Sequence, residues 1–323
     1  MAPPFLSFLY KQFFVTPTKP KGSITGKTVI VTGSNVGLGK EAARHYVQLG
    51  ASSVILAVRS LDKGNVAKQD IDKTTRCGPD VVKVWQLDMA SYQSVIAFSE
   101  RVDRDLKRLD IAMLNAGIAA GKFTIAEKDE SDITVNVVST FLLGLLLLPK
   151  LKATAQQHNT RPNLTFVASE VHRFTPFKEK SAPNIFDKLL EETDDMGDRY
   201  QVSKMLDVLC TRAMADQKSA SQIPVTINCV NPGLCHSELS RDSGLGLTIL
   251  KFFLARSTEV GSRTLVHAGL QGPESHGQYM SDCAIEQPAP WVLTADGYRV
   301  QGKVWGELMV KLEDIKKGVT KNL

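Results

Sequence analysis

Tyr200 and Lys204 stand four residues apart in Tyr200-Gln201-Val202-Ser203-Lys204, with Ser169 upstream of both. The pattern from Tyr200 to Met214 predicts a helix, on which the two side chains share one face a turn apart. A phenol beside an ammonium is a candidate proton carrier. The positive charge favours the phenolate and lowers a pKa that otherwise lies too high for work near neutrality. Ser169, at the carboxyl end of an apolar β-type run, can bond a reacting oxygen and hold charge as it develops there. Each residue alone has an ordinary structural reading. A helical Tyr/Lys pair is usually a solvated face, and a serine after a strand usually caps a helix. The three together, downstream of a cofactor motif, favour proton transfer.

That motif is Thr32-Gly33-Ser34-Asn35-Val36-Gly37-Leu38-Gly39, which follows a predicted strand and opens a helical pattern from Lys40 to Leu49. Glycine permits a tight turn and lets backbone amides approach a pyrophosphate at the positive end of the helix. Gly33, Ser34, Asn35, Gly37, Leu38 and Gly39 are therefore candidate dinucleotide contacts. The next strand ends at Arg59, twenty residues after Gly39, where a site that selects NAD usually places an acid for the ribose 2′-hydroxyl. A guanidinium can pair with a 2′-phosphate, so the cofactor is read as NADP(H), with an ordinary solvated surface charge as the other reading of Arg59 and nearby Asp62 blunting the preference. Asp88, after the third strand, reads either as an acceptor for an adenine amino group or as a helix N-terminal acid.

Stepping outward, apolar runs near residues 28–32, 53–58, 81–86, 110–114, 164–168, 225–230 and 278–280 are predicted as strands alternating with helical patterns. Continuous apolar strands with little in/out alternation imply a parallel sheet covered on both faces. The expected fold is a single doubly wound (Rossmann) α/β domain with a mostly parallel seven-stranded sheet. Residues 1–22 form an apolar segment and lead-in, and residues 23–323 the dinucleotide-binding and catalytic domain. The irregular stretches 174–199 and 235–257 are long enough to form a pocket rim.

The apolar N-terminal stretch, Phe5 to Val15, is too short to span a bilayer and lacks the features of a secretory signal. It reads as a short helix packed on the domain or a neighbouring subunit, with peripheral membrane contact through residues 5–15 as the alternative. The run Phe141 to Leu148 reads as a buried helix ending at Pro149. With 39 basic and 34 acidic residues, a net charge of +5 and no dense basic run, the chain carries no nucleic-acid signature. Cys77, Cys210, Cys229, Cys235 and Cys283 include no Cys-x-x-Cys pair, which argues against a zinc site or disulfide framework and fits a reducing, cytoplasmic compartment. His172 and His236 flank the expected pocket without a complete ligand set, so no metal is expected.

In order along the chain, these motifs resemble the short-chain dehydrogenase/reductase family over about residues 27–277. The glycine motif matches Thr32 to Gly39, Asn115-Ala116-Gly117 matches the family's Asn-Ala-Gly, and Asn136 in Val135-Asn136-Val137 matches its catalytic asparagine. The resemblance implies that Ser169, Tyr200 and Lys204 are the active-site serine, tyrosine and lysine. By the same resemblance Tyr200 exchanges a proton with the substrate oxygen, Lys204 binds the nicotinamide ribose, and Asn136 holds a water linking Lys204 to solvent. Asn115, Ala116 and Gly117 lie beside the cofactor, with Asn115 bracing the sheet. Pro232-Gly233 is the turn near the nicotinamide, and Ser237 stands where the family commonly has a threonine for the carboxamide.

Arg59, the stretch Val167 to His172 and the stretch Asn231 to His236 look most like retinol-dehydrogenase-like members, particularly fungal ones. That subgroup implies a ketoreductase of secondary metabolism acting on a lipophilic small molecule, and the family likeness implies a homodimer. The interval from Ser169 to Tyr200 is longer than the family commonly carries, which implies an insertion at the pocket. The segment Leu245 to Leu254 reads as a packed helix or as a lid over substrate. Two other readings stand beside the oxidoreductase: a scaffold reused for isomerisation, dehydration or cyclisation, and a non-catalytic NADP(H)-sensing regulator. The regulator has no need of Ser169, Tyr200 and Lys204 together.

Overall fold

The computed structural model describes residues 10–193, 196–236 and 255–323. Ser237, the segment 245–254 and residues 1–9 of the apolar stretch lie outside the described residues.

Strands β1 (Thr28–Thr32), β2 (Ser53–Val58), β3 (Val82–Gln86) and β4 (Ile111–Leu114) alternate with helices α1 (Gly37–Gln48), α2 (Leu61–Thr75) and α3 (Tyr92–Asp105). A two-stranded ladder, β5 (Ile125–Ala126) with β6 (Asp129–Glu130), precedes a π-helix over Ile133–Val138 that runs into α4 (Ser139–His158). Strand β7 (Asn163–Val167), helices α5 (Ile185–Leu189) and α6 (Met196–Asp216) and strand β8 (Thr226–Asn231) follow. The chain closes with α7 (Thr258–Ala268), β9 (Tyr279–Ser281), β10 (Ala284–Glu286) and α8 (Ala295–Ile315).

The large sheet runs β10-β9-β8-β7-β4-β1-β2-β3, parallel at every pairing except β9 with β10. Every residue of β1, β4 and β8 is buried, the pattern of strands covered on both faces. One face packs on α3, α4 and α6 through Phe98, Leu142, Leu148, Phe166 and Leu206. The other packs on α1, α2 and α7 through Ala43, Tyr46, Ile71 and Leu265.

The sheet has eight strands rather than the seven expected. Asp282 and Cys283 adopt φ of 52° and 62°, both left-handed, so the chain reverses in two residues and β10 pairs back on β9. A three-residue strand after such a turn carries too little pattern to be read from sequence.

The apolar helix also runs further than expected, crossing Pro149 and continuing to His158. Proline lacks the N–H that would bond the Leu145 carbonyl one turn back. Asn322, next to the C-terminus, donates its Nδ2 to that carbonyl at 3.1 Å and so satisfies it. Phe141 stacks on Phe166 at 4.4 Å, and Gly144 leaves the room, since a Cβ there would lie 2.9 Å from the Phe166 ring. Among the described residues Ile133–His158 is the one helical stretch long and apolar enough to cross a membrane, yet 83% of its apolar window is buried in the protein, as in a core helix.

The long Ser169–Tyr200 interval folds onto α8. Phe177, Phe186 and Leu189 are buried, Phe177 packs edge-on against Trp291, and the Ile185 amide donates to Glu307 at 2.8 Å. At the other end of the chain, residues 10–14 form a helical turn that leaves Tyr10, Phe13 and Phe14 exposed. Its inner side is fastened: Gln12 donates to the Leu234 carbonyl at 2.7 Å, and Arg256 donates to the carbonyls of Lys11 and Val15, each at 2.8 Å.

Candidate active site

Gly33, Arg59, Asn115 and Pro232 directly follow the last residues of β1, β2, β4 and β8, while Asp88 and Ser169 lie two residues beyond β3 and β7. All therefore collect at the carboxyl edge of the sheet. Strand order reverses between β1 and β4, which opens the crevice where doubly wound sheets take their ligands.

The β1–β2–β3 half of this crevice is made chiefly of backbone. Gly33 and Gly37 have φ of +65° and +60°, values costly for any side chain. A Cβ on Gly39 would lie 2.5 Å from Asn115 Nδ2 and 2.6 Å from the Gly33 carbonyl, so glycine there is a packing requirement. Asn115 donates to the Thr32 carbonyl at 2.9 Å, and the Ala116 amide donates to Thr32 Oγ1 at 2.8 Å, bracing β4 against the turn.

Helix α1 starts at Gly37 with no side-chain cap from Val36 and no acid in its first turn. Its first amides are thus left for an anion, the arrangement a pyrophosphate fits. Asn35 is half-buried in the turn, and Leu38 packs beneath it against the core. Ser34 is buried with its hydroxyl committed to the Val31 carbonyl at 2.8 Å, so only its backbone can face the crevice.

Arg59 and Asp62 are exposed at the end of β2 and the start of α2. Ser60 accepts from the Lys63 amide and supplies the cap of α2. Asp88 is half-buried, with Oδ1 accepting from the Ala90 amide at 3.0 Å, a local turn contact of the helix-start kind.

The β4–β7–β8 half is made of side chains. Asn136 sits on the π-helix, accepting from the Ile118 amide at 2.8 Å and donating to the Ile118 carbonyl and to Ser203 Oγ at 2.9 Å each. Ser203 donates in turn to the Tyr200 carbonyl at 2.8 Å. Asn136 thereby ties the loop after Gly117 to α6. Both its N–H groups are used, so a water at this side chain would bond through oxygen. Gly117 keeps the space beside them open: a Cβ there would lie 3.1 Å from Asn136 Oδ1 and 3.8 Å from Lys204 Nζ.

Tyr200 and Lys204 stand together on α6 as expected, with Nζ 5.9 Å from the centre of the phenol ring. Tyr200 is half-buried; Lys204 is buried and donates to the Val167 carbonyl and to Asp207 Oδ2, each at 2.9 Å. Burial raises the Tyr200 pKa, and the pull of Lys204 and the hydrogen bond from Ser169 oppose it. The lysine's pull alone does not prevail, because burial is the largest influence on the phenol and the charges of Asp207 and Asp132 add to it.

Lys204 itself is held above its usual value: burial lowers it, but Asp207 and Tyr200 more than compensate. Burial pushes Asp207 up to about 6 against the pull of Lys204. It pushes Asp132 up to about 7, with Glu130 adding repulsion. Asp132 Oδ1 accepts from the Ala120 amide at 2.9 Å, and its other oxygen has no partner.

Ser169 opens a 3₁₀ turn, accepting weakly from the Val171 amide at 3.4 Å, so it caps as well as reaching Tyr200. His172 fixes this turn. The Ala289 amide donates to its Nε2 at 2.9 Å, so the proton sits on Nδ1 and is donated to the Ser169 carbonyl at 2.7 Å. Burial drives its pKa down to about 4, and a neutral imidazole is what both bonds require. His236 is exposed.

Asn231 joins the two turns, its Oδ1 accepting from the amides of Glu170 and Gly233 at 2.9 and 3.0 Å. Gly233 has φ of +78°, and a Cβ there would lie 2.9 Å from Arg256 Nη1. Sequence reading missed Asp132, Asp207 and Asn231. Of these, Asp207 carried a signal: an acid three residues after Lys204 shares its helix face.

The family model for short chain dehydrogenases matches residues 27–174. A short chain dehydrogenase/reductase of Cryptosporiopsis sp. is 58% identical over 98% of this chain and 100% of its own length. A short-chain dehydrogenase of Penicillium roqueforti is 41% identical over 97% of this chain and 84% of its own. Among solved structures, an uncharacterised Mycobacterium paratuberculosis protein shares the fold with a TM-score of 0.66, at 23% identity, over 92% of this chain and 95% of that one. A Shigella flexneri short chain dehydrogenase complexed with NADP does so with a TM-score of 0.59, at 20% identity, over 82% and 100%.

Proposed function

The chain belongs to the short-chain dehydrogenase/reductase family of oxidoreductases, which use NAD(P)(H), and from that premise we propose an NADP(H)-dependent enzyme interconverting a ketone or aldehyde and its alcohol on a lipophilic small molecule. The observation that carries this reading is the junction of Ser169, Tyr200 and Lys204 at the carboxyl edge of β7, beside an uncapped α1.

Hydride transfer is the chemistry a reduced nicotinamide supplies when bound. In the reductive direction the substrate oxygen sits against Tyr200 and Ser169. Tyr200 gives its O–H proton to that oxygen, and the Ser169 hydroxyl supports the negative charge that grows on it. Lys204 makes the resulting phenolate tolerable and offers its remaining N–H to the ribose. The amides at the start of α1 hold the pyrophosphate.

Arg59 supports selection of the 2′-phosphate, because it is exposed at the end of β2 and no bond or ion pair is made by it among the described residues. The fungal relatives, a short chain dehydrogenase/reductase and a short-chain dehydrogenase by name, support carbonyl–alcohol redox chemistry. A Tyr200→Phe variant that still binds NADPH should lose turnover by roughly 10²- to 10⁴-fold. Undiminished turnover would remove Tyr200 as the acid and the reading with it.

A further inference from the structure

An ammonium has three N–H groups to give. In Lys204 one goes to the Val167 carbonyl and one to Asp207 Oδ2, each at 2.9 Å, which leaves one for a ligand. Asp207 is 1% exposed and Lys204 5%, so the pair is largely withdrawn from solvent. Three residues apart on α6, their separation is fixed by the helix itself.

Resting on the oxidoreductase reading above, we propose that Asp207 is a positioning residue for the proton-transfer step: it clamps Lys204 from behind, aims its last N–H, and offsets the charge that Tyr200 feels.

The neighbours of the pair are few. From α6 come Tyr200 and Cys210, and the charge of Asp207 acts on both. The entry to the π-helix contributes Asp132, which feels Lys204 and, beside it, the buried Glu130 and Arg199. Strand β8 contributes Cys229, a thiol that burial and Asp207 keep protonated. Strand β7 contributes a carbonyl and the Ser169 hydroxyl, neither of which titrates. Of these cations Lys204 is the one that acts on the phenol, and Asp207 is bonded directly to it.

An isolated buried cation would pull the phenol toward ionisation, whereas a cation paired at 2.9 Å acts as a dipole whose pull fades with distance. Burial and the paired Asp207 together keep the proton on Tyr200 through neutrality, ready to donate. The site is therefore set for reduction at neutral pH, and alcohol oxidation needs alkali to remove the phenol proton.

The experiment compares the full chain with its Asp207→Asn variant, which keeps the shape and an acceptor oxygen. Rates of alcohol oxidation with NADP⁺ are followed against pH. The rising limb should move toward acid by about one pH unit in the variant, and Asp207→Glu should restore it. A folded Asp207→Asn protein whose limb does not move overturns the proposal, because a merely structural ion pair would change stability and leave that limb in place. Should Asp207→Asn fail to fold, the wild-type limb decides. A midpoint on the alkaline side of neutrality supports the role, and one on the acid side overturns it. Absence of any turnover in the wild type removes the oxidoreductase reading first, and this role with it, so the two failures are told apart.

Discussion

On the β1–β2–β3 side of the crevice polar contacts fall to backbone: two glycines with positive φ, a helix start left uncapped, and one exposed guanidinium at Arg59. On the β4–β7–β8 side they fall to buried side chains, with Asn136, Lys204, Asp207, Asp132 and His172 all 5% exposed or less. Backbone amides do not titrate, and water screens a surface charge. Buried charges are unscreened, mutually dependent and costly to strand. Binding on the first side should thus answer to shape and salt, and chemistry on the second to pH and to single atoms.

The sharpest contrast comes from removing one charge on the buried side. Lys204→Met leaves Asp207 as a lone buried acid and takes the cation from beside Tyr200. Turnover should fall by about 10³-fold, and stability in denaturant by about 3 kcal/mol. If only the rate changes, Asp207 has found another partner and the buried side is not interdependent.

On the open side the matching charge change is Arg59→Asp, which should cost no stability and lower the preference for NADPH over NADH by roughly 10-fold or more. Ratios of kcat/KM for the two cofactors read this directly. An unchanged ratio would assign cofactor choice to some other residue.

A smaller effect separates the sides by pH alone. Asp132 titrates at about 7 in the folded protein against 3.8 for the ordinary carboxylate. Between those values the folded state binds the extra proton, so the stability from this group is full below about pH 4 and is lost as pH rises through 7. Asp132→Asn should flatten that decline in urea midpoints measured from pH 5 to 8. Parallel curves for variant and wild type would mean the group ionises freely.

What could be read from sequence follows the same division. Backbone-built features leave a local mark, and so Gly33, Gly37 and Gly39, the strand ends at Arg59 and Asn115, and strands β1 to β4 were legible, most to within a residue. Phenol and lysine on one helix face were legible through their spacing. Features that depend on a distant partner were not. Pro149 reads as a stop because nothing near it reveals that Asn322 will take the orphaned carbonyl. Nothing near Asp132 in sequence marks it as a buried acid, because its surroundings include the turn after Gly117. The π-helix at Ile133–Val138 has no sequence period distinct from the α4 that follows.

The fastening of residues 10–17 reaches further than its place at the chain's beginning suggests. Arg256 holds the carbonyls of Lys11 and Val15 while its Nη1 bonds Asp282 at 2.6 Å, and Gln12 reaches Leu234 beside Gly233. Trimming this stretch, or fusing an affinity tag that pries it loose, would unseat a guanidinium and slacken the β8 turn. Preparations differing only in their first seventeen residues would then differ in activity for reasons that have nothing to do with solubility.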